Sequence, residues 1–148
     1  MLANITEYNM TDNIVIRQAT ESDAPTMRAL QQKYISNPEG NSDIPESYFV
    51  ALIKDGFNLV AEQDGQVIGF VSGERLIDGG AFVQFRAVDE KYQGRGIGRA
   101  LADRFEQVLK DNGVHWLLSF AVPKVAEFYK RRGAHVGREN YHVVLKDL

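Results

Sequence analysis

The feature that most constrains this chain is a glycine-rich run near its middle, between a strand-like segment and a helix-like one. Gly94, Gly96 and Gly98 stand where the strand has to turn into the helix. Glycine adopts positive φ at little cost and lets a ligand approach the backbone closely. A helix start adds unpaired N–H groups and the positive end of the helix dipole, which attract phosphate. With Arg95 and Arg99 beside these amides, the run predicts a pyrophosphate site.

Two well-known phosphate loops do not fit this run. A Walker-type loop requires Gly, four residues and then Gly-Lys-Ser/Thr, and no such sequence occurs in the chain. A dinucleotide loop requires Gly-x-Gly-x-x-Gly. Counted from Gly94, its last position is Arg99, and counted from Gly96 it is Leu101. An ordinary glycine-rich turn, or a loop of the form Gln93-x-x-Gly-x-Gly, remains.

Length and patterning predict one domain. The chain has 148 residues, of which 44% are hydrophobic and 25% charged, as in ordinary globular proteins. We expect residues 1–12 to form a polar tail and residues 13–148 a single domain. Apolar spacing and turn residues predict the order β-α-α-β-β-β-α-β-α-β-β, with the first helix over residues 20–37 and a strand at Ala81–Val88.

The loop Gln93-x-x-Gly96-x-Gly98, with an arginine inside it and a long helix after it, resembles the coenzyme A loop of the GNAT (Gcn5-related) N-acetyltransferases. The predicted order of elements is the order of that fold, so the resemblance extends from Ile14 to Leu148. It implies an α/β (α+β) fold whose central sheet is mixed, mostly antiparallel, has about six or seven strands and is flanked by about four helices.

A second match lies near the end of the chain. The family tends to show an Asn, a Tyr seven residues later, and Gly-Phe four residues after that. Here the pair Phe128-Tyr129 and the glycine Gly133 are kept. Val122 stands at the Asn position and Ala134 at the Phe position, and the family's Asn helps to hold the pantetheine arm.

The resemblance also implies acetyl-CoA as the co-substrate. The strand that ends at Ala87 and Val88 is expected to bulge and to separate from the strand that begins at His115, and the pantetheine arm is expected in the gap between them. A backbone N–H near Val88 would bind the thioester carbonyl. The expected cofactor-binding residues are Ala87, Val88, Gln93, Gly94, Arg95, Gly96, Gly98 and Arg99.

Acetyl transfer also requires an acid and a base. By resemblance, Tyr129 is expected to protonate the coenzyme A sulfur as the general acid. Glu74, near the end of the strand before Asp78-Gly79-Gly80, is the first candidate for the base. His115, His142 and a chain of water molecules are the alternatives. A non-catalytic coenzyme A sensor with the same fold is the alternative to an enzyme.

Charge and composition limit the partners. The net charge is −3, which disfavours nucleic-acid and anionic-membrane binding, and a chain with no cysteine has no thiolate metal site. No spacing of His, Asp or Glu predicts a metal site. We expect a cytoplasmic protein that acts on a small-molecule or peptide amine, and the exposed strands of the last hairpin favour a homodimer.

Overall fold

The computed structural model describes residues 7–35, 43–121, 123–136 and 142–148. Within these residues the chain forms eight strands and four α-helices. The strands are β1 (Tyr8–Asn9), β2 (Ile14–Gln18), β3 (Phe57–Gln63), β4 (Gln66–Arg75), β5 (Ala81–Val88), β6 (Trp116–Ala121), β7 (His135–Val136) and β8 (His142–Asp147). The helices are α1 (Ala24–Tyr34), α2 (Glu46–Asp55), α3 (Ile97–Asp111) and α4 (Pro123–Arg131).

All eight strands form one sheet, in the order β1-β2-β3-β4-β5-β6-β8-β7. Neighbours are antiparallel except β5 and β6, which are parallel and are joined through α3. The predicted fold class, a mixed and mostly antiparallel sheet with four helices, is confirmed. The sheet has one strand more than expected because Tyr8 and Asn9, in the segment predicted as a tail, pair with Ile16 and Val15.

Two local sequences decide where elements begin and turn. The hairpin between β3 and β4 turns at Asp64 and Gly65, which both have positive φ (50° and 80°), as the tight hairpin turn requires. The predicted first helix starts later than residue 20. A single turn of 3-10 helix, Glu21–Asp23, precedes α1, and the carboxylate of Asp23 accepts a hydrogen bond from the backbone N–H of Thr20 at 2.8 Å.

The helices pack on both faces of the sheet. Leu101, Phe105 and Leu109 of α3 are buried against one face. Met27 of α1 and Phe49 of α2 are buried against the other. The strong amphipathic pattern after the glycines therefore has the core partner that it requires.

Ion pairs join α3 to Arg132, which immediately follows α4, and to β8. Arg132 contacts Asp103 at 2.7 Å and Glu106 at 3.0 Å, and Lys146 of β8 contacts Glu106 at 2.7 Å. The buried Glu106 carboxylate is therefore balanced by two cations, as a buried charge requires. These contacts hold α4 and the last strands against α3.

Candidate functional site

A bulge interrupts β5 in front of the glycine loop. Ser72 of β4 pairs with Phe85, but the next residue, Gly73, pairs with Val83. Gln84 is therefore the extra residue of a β-bulge, which twists the strand and redirects the side chains around it. The bulge that the resemblance implied is present.

Strands β5 and β6 separate immediately after this point. Their parallel pairing covers three positions and ends where Val83 meets Ser119, whose hydroxyl donates to the Val83 carbonyl at 2.9 Å. Beyond it, β5 continues beside β4 to Val88, and β6 continues beside β8 to Ala121. The result is a gap between two neighbouring strands, as the resemblance implied.

The glycine loop lies next to this gap, at the start of α3. Gly94 and Gly96 both have φ +79°, and a Cβ at either position would have no atom within 4 Å. The amide of Ala100 donates to the Gly96 carbonyl at 3.0 Å, which is the first hydrogen bond of the helix. The preceding amides, including that of Gly98, are therefore available to an anion.

The three glycines have different reasons to be glycine. Gly98 is helical and does not have a positive φ, unlike Gly94 and Gly96. A Cβ at Gly98 would lie 3.7 Å from Val88 Cγ2, which is an ordinary contact. The described contacts of the protein itself therefore leave room for a side chain at Gly98.

An open groove of about 320 Å³ runs from the loop along the end of β5. Its lining residues are Arg86, Ala87, Val88, Tyr92, Gln93, Gly94, Gly96, Ile97, Gly98, Arg99 and Phe128.

The groove collects seven of the eight predicted cofactor-binding residues. The eighth, Arg95, is exposed in the same loop, and its guanidinium lies 5.3 Å from the ring centre of Tyr92. Two cations and a row of free amides at one end of a long groove suit a ligand that carries a pyrophosphate on an extended arm.

Tyr129 lies behind the groove instead of on its wall. Its side chain is buried (5% exposed) and borders a small cavity of about 10 Å³, together with Arg86 and Glu106. Burial raises the pKa of the Tyr129 phenol, and the positive charge of Arg86 partly opposes that rise. The phenol is therefore protonated at neutral pH, which is the state that a general acid requires.

The spacing of Tyr129 and Gly133 has a structural cause. Gly133 has φ +87°, and the amide of Ala134 donates to the Tyr129 carbonyl at 3.1 Å. This is the left-handed C-terminal cap of α4. The glycine ends the helix one turn after the tyrosine and so fixes where the phenol stands. Val122, which departs from the family pattern, lies outside the described residues.

Arg86 was missed by the sequence analysis. It borders both the groove and the cavity beside Tyr129, and its guanidinium lies 3.8 Å from the ring centre of Phe128. Burial lowers the pKa of Arg86, and Tyr129 partly opposes that effect. The available signal was a lone cation two residues before the end of an otherwise uncharged strand, but simple alternation does not give its face, because the bulge at Gln84 reverses the alternation after Val83.

Glu74 lies on the opposite face of the sheet. Its carboxylate accepts a hydrogen bond from Gln84 Nε2 at 2.9 Å, and Gln84 Oε1 accepts one from the hydroxyl of Tyr48 in α2. The bulge residue therefore links Glu74 to the helices that flank the open gap. The structure brings Glu74 near the gap but leaves it on the other face from Tyr129.

The two histidine alternatives lie at different ends of β6. His115 is exposed and precedes β6, where the amide of Leu148 donates to its carbonyl at 2.6 Å. That is the end at which β5 and β6 are paired, away from the gap. His142 pairs with Ala121 at the other end of β6, beside the opening of the gap.

Aromatic rings lie next to Gln84. Phe82 of β5 and Phe120 of β6 meet edge to face, with their ring centres 5.5 Å apart, and Phe120 is 59% exposed. Tyr48 contacts the ring of Phe85 at 6.4 Å. These rings and the Glu74 carboxylate form a partly exposed surface, which we call the aromatic face.

The described residues provide neither a grouped metal-ligand set nor a helix that could span a membrane. Among the described residues, no three His, Cys, Asp or Glu side chains are grouped so that they could hold a metal ion. No helix in the same part of the chain is both long and apolar enough to cross a membrane.

Comparison with known proteins gives one family. A model described as an acetyltransferase (GNAT) domain matches residues 54–133, which contain β4, β5, the glycine loop, α3, β6 and α4. This region includes every predicted cofactor-binding residue as well as Glu74 and Tyr129. No curated protein matches the sequence.

Solved structures agree on the fold. Ard1 from Thermoplasma volcanium superposes with a TM-score of 0.80 at 18% identity, over 92% of this chain and 98% of that one. PaiA N-acetyltransferase from Thermoplasma acidophilum, in complex with coenzyme A, gives 0.77 at 19%, over 91% and 99%. The ribosomal-protein-S18-alanine N-acetyltransferase from Escherichia coli gives 0.74 at 20%, over 91% and 92%.

Proposed function

The chain belongs to the GNAT family of acetyltransferases, and we propose that it moves the acetyl group of acetyl-CoA to a primary amine of a small molecule or peptide. The transfer is direct, within one ternary complex. The observation that carries the proposal is the gap beyond Val83 and Ser119, which opens beside the glycine loop. An extended thioester arm and an incoming amine can meet in that gap.

The residues of the loop and of β5 hold the co-substrate. Amides of Arg95, Gly96, Gly98 and Arg99 bind the pyrophosphate, with the two guanidinium groups beside it. The pantetheine arm lies along the free edge of β5, where Ala87 and Val88 line the groove. A backbone N–H near Val88 polarises the thioester carbonyl, which stabilises the oxyanion as the amine attacks.

Tyr129 supplies the proton for the leaving group. The amine nitrogen attacks the acetyl carbon, the C–S bond breaks, and its electron pair goes to the sulfur. Because burial keeps the Tyr129 phenol protonated, the phenol has a proton to give at neutral pH. The phenol lies behind the groove wall. The small cavity beside it has room for about one water molecule, which relays the proton to the groove.

The amine enters from the aromatic face. Phe82 and Phe120 present aromatic rings, and Glu74 presents a carboxylate that Gln84 orients. Rings and a carboxylate together suit a cationic amine. Glu74, directly or through water, takes the proton that the amine must lose before or during attack.

The test is release of the coenzyme A thiol from acetyl-CoA in the presence of candidate amines. The panel contains polyamines, amino acids, aminoglycosides and short peptides. The neighbours include enzymes named for a ribosomal-protein alanine and for glutamate, so peptide N-termini and amino acids both belong in it. Turnover on one class that falls in Tyr129→Phe and in Glu74→Gln supports the proposal. Binding of acetyl-CoA without turnover on any amine would instead favour a sensor.

A further inference from the structure

Arg86 connects the groove to the tyrosine behind it. It is the residue common to the lining of the groove and to the lining of the cavity beside Tyr129, as far as the described part of the chain extends. Its guanidinium lies 3.8 Å from the ring centre of Phe128 and 5.2 Å from that of Tyr129. The two rings fix the guanidinium through cation–π contacts.

The charge of Arg86 is not balanced by a hydrogen-bonded partner at its buried end. The Nη1 atom is buried and has no hydrogen-bond partner among the residues that the structure describes. Glu106 borders the same cavity, but its two oxygens already accept from Arg132 and Lys146. Arg86 is partly buried and, among the described residues, no carboxylate pairs with it, so its charge costs stability that an apolar side chain at this position would not. The arrangement therefore suits an anion that is present only when a ligand occupies the groove.

The order of the lining residues along the groove indicates which anion this is. The glycine loop, with Arg95 and Arg99, stands at one end and takes the pyrophosphate under the proposed function. Arg86 lies at the other end, past Ala87 and Val88 and next to the gap. The group of an extended coenzyme A that becomes negative there is the sulfur, when the C–S bond breaks and the electron pair stays on it.

We propose that Arg86 stabilises the coenzyme A thiolate in the transition state, before the sulfur is protonated. The inference rests on the proposed function. The amine nitrogen forms its bond to the acetyl carbon, the sulfur takes the electron pair, and the sulfur then takes the Tyr129 proton. The amine's own proton leaves on the side of Glu74. Arg86 gives no proton and acts by its charge and its free N–H group.

The experiment measures the thiol of bound coenzyme A, without any acceptor or turnover. The ultraviolet absorbance of the thiolate gives the pKa of that thiol in complexes with the unaltered protein, Arg86→Met, Arg86→Lys and Arg131→Met. Arg131 is exposed on the same helix as Tyr129 and lines neither the groove nor the cavity. Its variant therefore removes an equal charge away from the proposed site. We expect the bound thiol of the unaltered protein and of Arg131→Met to have a pKa about 1 to 3 below that of free coenzyme A.

In Arg86→Met the pKa of the bound thiol should return to that of free coenzyme A. In Arg86→Lys part of the lowering should remain, because lysine keeps the positive charge but lacks the planar guanidinium group. An equal thiol pKa in the unaltered protein and in Arg86→Met would overturn the proposal. Thermal unfolding checks that the variants fold. Desulfo-coenzyme A, which lacks the sulfur, gives a second comparison. The unaltered protein and Arg86→Met should bind desulfo-coenzyme A with the same affinity. If Arg86→Met weakened the binding of coenzyme A and of desulfo-coenzyme A equally, a role at the sulfur would be contradicted.

The outcomes distinguish a failure of the role of Arg86 from a failure of the proposed function. If the unaltered protein fails to bind coenzyme A, the proposed function fails. If it binds coenzyme A and acetylates an amine, yet the thiol pKa is not lowered, the role of Arg86 alone fails.

Discussion

The side-chain amide of Gln93 donates a hydrogen bond to the backbone carbonyl of Val88 at 3.0 Å. The residue that opens the glycine loop is therefore fastened to the last residue of β5. The loop and the strand edge are the two surfaces that a single extended ligand has to touch. Their relative position depends on this contact and on the backbone bond from the Asp89 amide to the Ile68 carbonyl.

We expect Gln93→Ala to weaken coenzyme A binding by about threefold to tenfold, because one hydrogen bond of about 0.5–1.5 kcal/mol that fixes the loop is lost. Isothermal titration with coenzyme A measures the effect. Gln107→Ala on the exposed side of α3 is the matched control and should leave the affinity unchanged. Equal affinities in both variants would show that the loop does not need this contact.

Gly96→Ala and Gly98→Ala should have opposite effects on stability. Gly96 has φ +79°, so a side chain there costs about 1–2 kcal/mol of unfolding free energy. Gly98 is helical with an ordinary contact to Val88, so alanine should raise stability by up to about 1 kcal/mol. Urea denaturation gives both values.

The affinity of the Gly98→Ala variant for coenzyme A tests whether Gly98 contacts the ligand. If a ligand backbone contact is the reason for Gly98, Gly98→Ala weakens binding although the protein is no less stable. Unchanged affinity in that variant would remove Gly98 from the binding site.

Tyr129→Phe should lower kcat by about 10²–10⁴-fold while leaving the affinity for acetyl-CoA unchanged, because the phenol acts on the leaving sulfur and lies behind the groove wall. Since burial raises the pKa of Tyr129 above its ordinary 10.0, deprotonation of this group should produce no fall in rate below that pH. A pH profile of kcat for both proteins checks this. An alkaline fall near neutrality that disappears in Tyr129→Phe would contradict it.

Asp23 should make the fold sensitive to acid. Burial favours a higher pKa for Asp23, but hydrogen bonds from Arg17 and from the Thr20 amide outweigh it and hold the pKa below its ordinary 3.8. The unfolded chain therefore binds this proton at a higher pH than the folded one. The stability that the carboxylate contributes is complete above the pKa that Asp23 has in the unfolded chain. It is lost as the pH falls from there through the lower pKa of the folded protein.

The unfolding free energy, followed from neutral pH to below 3.8, measures this loss. We expect Asp23→Asn to be less stable than the unaltered protein at neutral pH and the difference to narrow in acid. Asp147→Asn, at an exposed carboxylate of β8, should run parallel to the unaltered protein throughout.

Where a sequence signal is local, it predicted this structure well. Strand β5 has its predicted bounds, and the long helix predicted after the glycine loop is present as α3. Both depend on spacing within a few residues and on glycine conformations. The start of α1 was placed too early because the Thr20–Asp23 contact favours a tighter turn there.

Contacts between distant segments could not be predicted in this way. Arg86 meets Phe128 through the crossover of β5 and β6, and no local pattern in either segment indicates the pairing. The same is true of Gln84 and Tyr48, which become partners because a bulge redirects one side chain. The domain boundaries, the roles of Glu74 and Tyr129 and the homodimer stay predictions.

Under the proposed function, the short pairing of β5 with β6 would also make the co-substrate part of the architecture. Past Val83, one edge of β5 has backbone groups that none of the described strands engages across the gap. A bound pantetheine arm would complete the sheet there, as an added strand does. Amide hydrogen exchange at Phe85 to Val88 should then slow when coenzyme A binds, and the C-terminal strands should resist unfolding more. For this chain, the abundance of coenzyme A and the lifetime of the folded protein become linked quantities.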